Sequence, residues 1–269
     1  MRLTLSRPTQ WLQALREHLA MVLGLSLLAS LCLSWSPIAL VLHHALPRRW
    51  GQAVGRRVAT ACFRFYLGAL RAVCGCRFDL NALDGLAGQG PMIVVANHPS
   101  LLDALLLVSR LPNAVCIMKA GLMDNPLFGA GARLAGYVRN DNLLHVILQC
   151  RSELREGAQV VVFPEGTRTT DWPMNRVPAS IGLLAVRSQV PVQTVLLDFS
   201  SPYLGKAWPL WRRPELPLRV SARLGRRFAP PSDARAFTDE LQSHFDQALK
   251  NAQVASANPC PSPPRPTSS

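Results

Sequence analysis

Between residues 92 and 197, short and wholly apolar runs alternate with longer segments of helical period, and no other feature limits the fold as strongly. Met92–Ala96, Ala114–Met118, Val160–Phe163 and Val192–Leu197 read as buried strands. Leu102–Arg110 reads as a helix between the first two. Asp141–Glu156 is a longer helical pattern, with Leu143, Leu144, Ile147, Leu148 and Leu154 on one side, Asp141 as its cap and Gly157 beyond its end. Strands covered on both faces by crossover helices stay apolar throughout, because neither face meets water. The predicted class is therefore α/β, a mostly parallel central sheet flanked by helices.

In such sheets chemistry gathers where strands end and helices begin. The first run leads into Asn97-His98-Pro99-Ser100-Leu101-Leu102-Asp103. Proline suits the first position of a helix, which places His98 at the cap and Asp103 after the first turn. On one regular helix the two side chains would point about 140° apart. With His98 outside the helix, its ring can fold back onto the carboxylate, which then holds one ring nitrogen protonated and leaves the other as a base. The spacing alone fits a structural histidine at a helix start equally well. The third run ends in Phe163-Pro164-Glu165-Gly166-Thr167-Arg168, where no apolar period accounts for Pro, Glu, Gly and Arg together. Two strands thus bring polar clusters to one sheet edge.

With the paired motifs Asn-His-x4-Asp and Phe-Pro-Glu-Gly-Thr-Arg, the chain resembles the lysophosphatidic-acid (1-acyl-sn-glycerol-3-phosphate) acyltransferase family over roughly residues 90–200. Weaker blocks agree in order: Lys119-Ala120-Gly121-Leu122 with Pro126, Phe128 and Gly129, then Gly136-Tyr137-Val138-Arg139, then Val190-Pro191-Val192. The resemblance implies transfer of a fatty acyl group from a thioester, acyl-CoA or acyl carrier protein, to a lysophospholipid hydroxyl. His98 would be the base and Asp103 its orienting carboxylate; the acceptor supplies the nucleophile, so no Gly-x-Ser-x-Gly elbow is needed and none is found. Arg168, with Arg139 and Lys119, would grip the acceptor phosphate. Glu165 would orient the acceptor or Arg168, and Thr167 and the amides around Gly166 would line the substrate site. The mechanism calls for no cofactor and no metal. Two departures leave the acceptor open. Val177–Gly182 lacks a lysine that members often carry, with Arg176 nearby, and residues 201–212 are similar to acyltransferases of bacterial aryl polyene clusters.

The N-terminal third has a different character. From His18 to Pro47, thirty consecutive residues carry no Asp, Glu, Lys or Arg. The run Leu19–Trp35 is at the lower limit for a membrane span, and Pro37 predicts a break before Ile38–Leu46. One kinked span, a re-entrant hairpin and an interfacial helix pair all fit; a cleaved signal peptide and a buried core helix fit less well. Downstream, Arg49, Arg56, Arg57, Arg64 and Arg71 recur at heptad spacing on one arc, with Val54, Val58, Ala61, Cys62, Phe65, Ala69 and Val73 opposite, the pattern of a helix in a membrane interface or of a surface helix. Of the net charge of +13, ten arginines against Glu17, Asp79 and Asp84 fall in residues 1–90. Basic residues flanking an apolar segment favour an anionic membrane lipid as partner over nucleic acid, for which no aromatic-basic or zinc pattern is present. The heavier cluster follows the apolar run and predicts the cytoplasmic face of a bacterial inner membrane.

Seven scattered cysteines suggest neither a disulfide scaffold nor a metal site. The expected organisation is a membrane-associated helical module over 1–80, an acyltransferase domain over 81–250, and a Pro/Ser-rich disordered tail over 251–269. The first alternative is an acyltransferase of the same mechanism acting on a different lipid or polyene acceptor; a membrane adaptor that kept the fold without the reaction has no reason to retain both His98 and Asp103.

Overall fold

A computed structural model describes residues 7–257. Two long helices come first, α1 (Arg7–Ala45) and α2 (Arg48–Cys74). The remainder runs β1 (Arg77–Asp79), α3 (Asn81–Asp84), β2 (Met92–Ala96), α4 (Asp103–Arg110), β3 (Ala114–Lys119), α5 (Ala120–Met123), α6 (Gly129–Leu134), β4 (Val138–Asn140) and α7 (Leu143–Arg155). It closes with β5 (Gln159–Val162), α8 (Ala179–Ser188), β6 (Val192–Phe199), β7 (Arg219–Phe228) and α9 (Ala234–Ala257). Residues 258–269, most of the expected tail, lie outside the described residues, and 251–257 continue α9.

The seven strands form one sheet in the order β1-β7-β6-β2-β5-β3-β4, parallel except for the β6–β7 pair. The four apolar runs are β6, β2, β5 and β3, four adjacent strands among the five interior positions of the sheet. β2 and β5 are buried at every residue, as strands between two helical layers must be. On one face Val94, Leu106, Leu107 and Cys116 pack with Tyr66, Leu67 and Leu70 of α2. On the other, Ile93, Val95 and Val160 pack with α7, α8 and α9 through Ile147, Leu184 and Phe245. β1, β4 and β7 escape a reading of apolar runs: two are three-residue edge strands, and β7 carries four arginines.

Pro37 does not break α1, which stays helical to Ala45. Beside it, Ser36 Oγ donates to the carbonyls of Pro126 and Leu127, both at 3.0 Å, and Trp35 rests against Gly131 of α6. Tertiary contacts on both sides of the proline hold the helix through the lost backbone bond. Outward, α1 leaves Leu12, Leu15, Leu19, Val22, Leu23, Leu33 and Val41 exposed, and it is long and apolar enough to cross a membrane.

The arginine arc of α2 is exposed at Arg49, Arg57, Arg64 and Arg71, and only Arg56 turns inward. Arg56 is buried, donating Nε to the Ala135 carbonyl at 2.9 Å, Nη1 to Asn113 Oδ1 at 2.8 Å and Nη2 to Glu153. Arg64 caps the Ser109 carbonyl and Arg71 reaches the Phe78 carbonyl. Phe65, Val73 and Trp50 point outward as well. The close approach is set by Gly55, where a Cβ would come within 2.7 Å of the Ala135 nitrogen.

The same ion pair rotates α7. Its buried stripe is Val146, Ile147, Cys150, Glu153 and Leu154, while Leu143, Leu144 and Leu148, expected inside, are exposed. Placing Glu153 outside by its charge alone turns the helix too far; its carboxylate lies inside because it receives Arg56, Arg48 and Gln52. Asn142 rather than Asp141 is the cap, accepting the His145 N–H at Oδ1. Removing Glu153 strands a buried guanidinium, so Glu153→Ala is expected to destabilise the fold by about 3–5 kcal/mol in denaturant unfolding.

Candidate active site

β2 and β5 are adjacent and parallel, with Val95 opposite Val162. The segments leaving their C-terminal ends are therefore side by side, and they clamp each other. The His98 N–H donates to Glu165 Oε1 at 2.8 Å, and the Thr169 N–H donates to the His98 carbonyl at 2.8 Å. Glu165 is itself fixed by the Thr169 hydroxyl at 2.8 Å and by the Asn175 N–H at 2.9 Å. Asn97 ties the opposite flank, donating to the Leu197 carbonyl at 2.9 Å and accepting the Leu197 N–H at 2.7 Å. The main chain of His98 is thus held from both neighbouring strands.

The ring is held as firmly. His98 Nδ1 lies 2.8 Å from Asp103 Oδ2, and the imidazole stacks on Phe163 with centroids 4.3 Å apart. Asp103 is the first residue of α4 rather than one turn inside it, and Pro99 precedes the helix instead of starting it. The intervening residues form a turn because Asp103 Oδ2 also accepts the Ser100 N–H at 2.8 Å. Ser100 is fully buried and spends its hydroxyl on the Tyr203 carbonyl at 2.9 Å, which leaves it structural.

Burial raises Asp103 from an ordinary value near 3.8 to about 6, against the opposing pull of His98 and of the Ser100 amide. Its other oxygen, Oδ1, is buried and accepts no hydrogen bond among the described residues. A carboxylate on Nδ1 leaves Nε2 as the proton acceptor, with the ring fixed in plane and tautomer.

The remaining sequence candidates have different positions. Glu165 does not orient Arg168: it organises the His98 backbone. The Gly166 N–H is committed to the Phe163 carbonyl at 3.2 Å in a turn with φ +65, so it is no free anion donor. Thr167 Oγ1 accepts from Lys206 at 3.1 Å. Arg168 commits Nη1 to the Leu204 and Gly205 carbonyls at 2.8 and 2.7 Å, tying the 203–205 loop over the site. Arg139, at the end of β4, is paired with Asp124 and Asp141 and lies three strands from β2. Lys119, at the exposed end of β3, has no ion pair among the described residues. The sequence reading missed the roof formed by Tyr203, Leu204 and Gly205. Its only signal was the unusual composition of 201–212, because the contact is between segments a hundred residues apart.

The fold and site define an α/β protein with a carboxylate-oriented histidine at the C-terminal edge of its sheet. Residues 77–198 match the family model described as Acyltransferase. It is similar to the 1-acyl-sn-glycerol-3-phosphate acyltransferases of Pseudomonas aeruginosa (26% identity, 70% of this chain and 72% of that one) and Helicobacter pylori (31% identity, 36% and 46%). It spans 42% of the Brassica napus chloroplast relative. The crystal structure of the Thermotoga maritima 1-acyl-sn-glycerophosphate acyltransferase shares the fold, with a TM-score of 0.69 at 18% identity over 90% of this chain and 98% of that one.

The raised Asp103 pKa has two consequences of opposite sign. The folded state favours the protonated acid, so stability is expected to fall as pH rises from about 4 to about 6 and then level off. Turnover should rise through the same window as Asp103 loses its proton. Asp103→Asn is expected to lower kcat by about 100- to 10,000-fold and remove that stability slope, measured by pH-dependent kinetics and unfolding.

Proposed function

We propose that this protein is an O-acyltransferase that moves a fatty acyl group from a thioester to the free hydroxyl of 1-acyl-sn-glycerol 3-phosphate, giving phosphatidic acid. The observation that carries this reading is the His98–Asp103 pair: a base clamped in backbone, ring plane and tautomer, positioned at a sheet edge. The acceptor hydroxyl gives its proton to His98 Nε2 as its oxygen attacks the thioester carbonyl. The tetrahedral intermediate then collapses, the carbon–sulfur bond breaks, and the departing thiolate takes the proton from the imidazolium. Asp103 stabilises that imidazolium and is itself not consumed. The similarity to 1-acyl-sn-glycerol-3-phosphate acyltransferases supports lysophosphatidic acid as acceptor.

For the acceptor phosphate, Lys119 and the Nε and Nη2 groups of Arg168 are the expected cations without a partner among the described residues, whereas Arg139 is already paired with two carboxylates. The outward apolar face of α1, with exposed Trp50, Phe65 and Val73 beside exposed arginines on α2, supports residence at a membrane, from which a lysolipid can reach the site without crossing bulk water.

Mass spectrometry of products from a mixed lysolipid pool should show acylated lysophosphatidic acid with the wild-type protein and none with folded His98→Ala; turnover by that variant near the wild-type rate would overturn the mechanism. Lys119→Ala is expected to raise the acceptor KM by about tenfold, the loss of one charge-assisted contact, and Arg139→Ala to raise it far less. Equal effects would remove Lys119 from the acceptor site.

A further inference from the structure

A groove of about 1410 Å³ begins beside His98, at Asn97, Pro99, Thr169 and Gly205, and extends over the β6-β7-β1 side of the sheet. This is the opposite flank of β2 from Lys119. Its floor carries a stripe of like charge. Arg77 of β1 is the register partner of Arg219 of β7, and Arg223 follows four residues along the same strand. Residues 219, 221 and 223 share one face because strand side chains alternate, and Val220 and Ala222 are buried on the other. None of the three guanidiniums has a hydrogen bond or ion pair among the described residues. Like charges on directly neighbouring strands repel, so the stripe costs stability unless an anion lies across it.

Arg71, Arg212 and Lys206 add positive charge along the walls. Asp79, Asp198 and Glu215 lie among them, leaving the lining net positive and mixed in character. Asp79 and Asp198 both register with Ser221, forming a row of acceptors between the arginines. Trp172, 60% exposed, presents an aromatic face to the same space.

A lysophospholipid brings one phosphomonoester and would leave most of this lining unmatched. A thioester donor of the coenzyme A class brings a diphosphate and a separate phosphomonoester for the arginines. It also brings amides and a ribose hydroxyl for the carboxylates, and a purine for an aromatic plane. We propose that this groove binds the nucleotide and pantetheine arm of such a donor, delivering its thioester to His98 from the β6 side. This rests on the acyl-transfer reading for the identity of the ligand, and on the groove itself for its place. Two substrates then meet at one histidine from opposite flanks of β2, and neither must pass the other.

The test uses the full-length protein in detergent, with coenzyme A as calorimetric probe and 4′-phosphopantetheine as the arm lacking the nucleotide. Wild type should bind coenzyme A more tightly than 4′-phosphopantetheine. The double variant Arg219→Gln/Arg223→Gln should lose at least about tenfold in coenzyme A affinity, with a matching rise in the acyl-CoA KM and none in the lysophosphatidic acid KM. Circular dichroism checks the variant's fold, and Arg77→Gln alone repeats the measurement should the double variant unfold. Unchanged coenzyme A affinity in the folded variants would overturn the proposal. So would no binding by wild type, turnover only with carrier-protein donors, or a rise confined to the lysophosphatidic acid KM. Arginine-dependent coenzyme A binding without acylation of any lysolipid would uphold the groove and sink the acyl-transfer reading.

Discussion

The site depends on one constraint, the parallel pairing of β2 with β5. Because these strands are adjacent and end together, the loops that leave them must share the same space, and each satisfies the other's backbone. His98 gives its N–H to Glu165 and its carbonyl to the amide of Thr169. Buried backbone groups in irregular segments need such partners, since no ladder supplies them there. The Phe-Pro-Glu-Gly-Thr-Arg segment therefore acts first as the support of the histidine: Phe163 under the ring, Glu165 and Thr169 on its main chain, and Arg168 on the loop above.

A second device joins the N-terminal helices to the sheet domain. Arg56 is buried with Glu153 as its counter-ion, and both contribute further hydrogen bonds, from Arg56 to Asn113 and Ala135 and to Glu153 from Gln52. Such a pair adds little net stability over an apolar contact, but its loss from one side is costly, so it favours one orientation of α2 on the domain. That orientation fixes which surface is left outside. The result is an apolar outer face on α1 and an outer face on α2 that mixes Trp50, Phe65 and Val73 with exposed arginines, while Arg56 is turned inward. Net charge alone would have assigned Arg56 to a lipid surface with the rest.

Much of the architecture was legible from local pattern. The four adjacent central strands β6, β2, β5 and β3 match the four apolar runs, since a strand buried on both faces records that burial in every residue. His98 and Asp103 were legible as a pair only beside the Phe-Pro-Glu-Gly-Thr-Arg motif, because their spacing alone fits a structural histidine equally well. The other strands left no such record: interior β7 places arginines on its open face, and the edge strands β1 and β4 are too short to show a period. The rotation of α7 was hidden for a related reason. Hydrophobic period assumes that charge points outward, and Glu153 points inward because its partner lies ninety-seven residues away on another helix.

The sequence by itself determined the class of fold, the strands at its centre, the histidine–carboxylate pair and the acyltransferase resemblance, all of which are encoded in residues close together along the chain. Only the tertiary structure decided that Glu165 supports His98, that Arg139 is already neutralised, that Arg56 is interior, and that Arg77 and Arg219 stand side by side. Those outcomes depend on which distant segments become neighbours. An ionic side chain has the same sequence signature whether its partner is water, a substrate or a buried group of opposite charge.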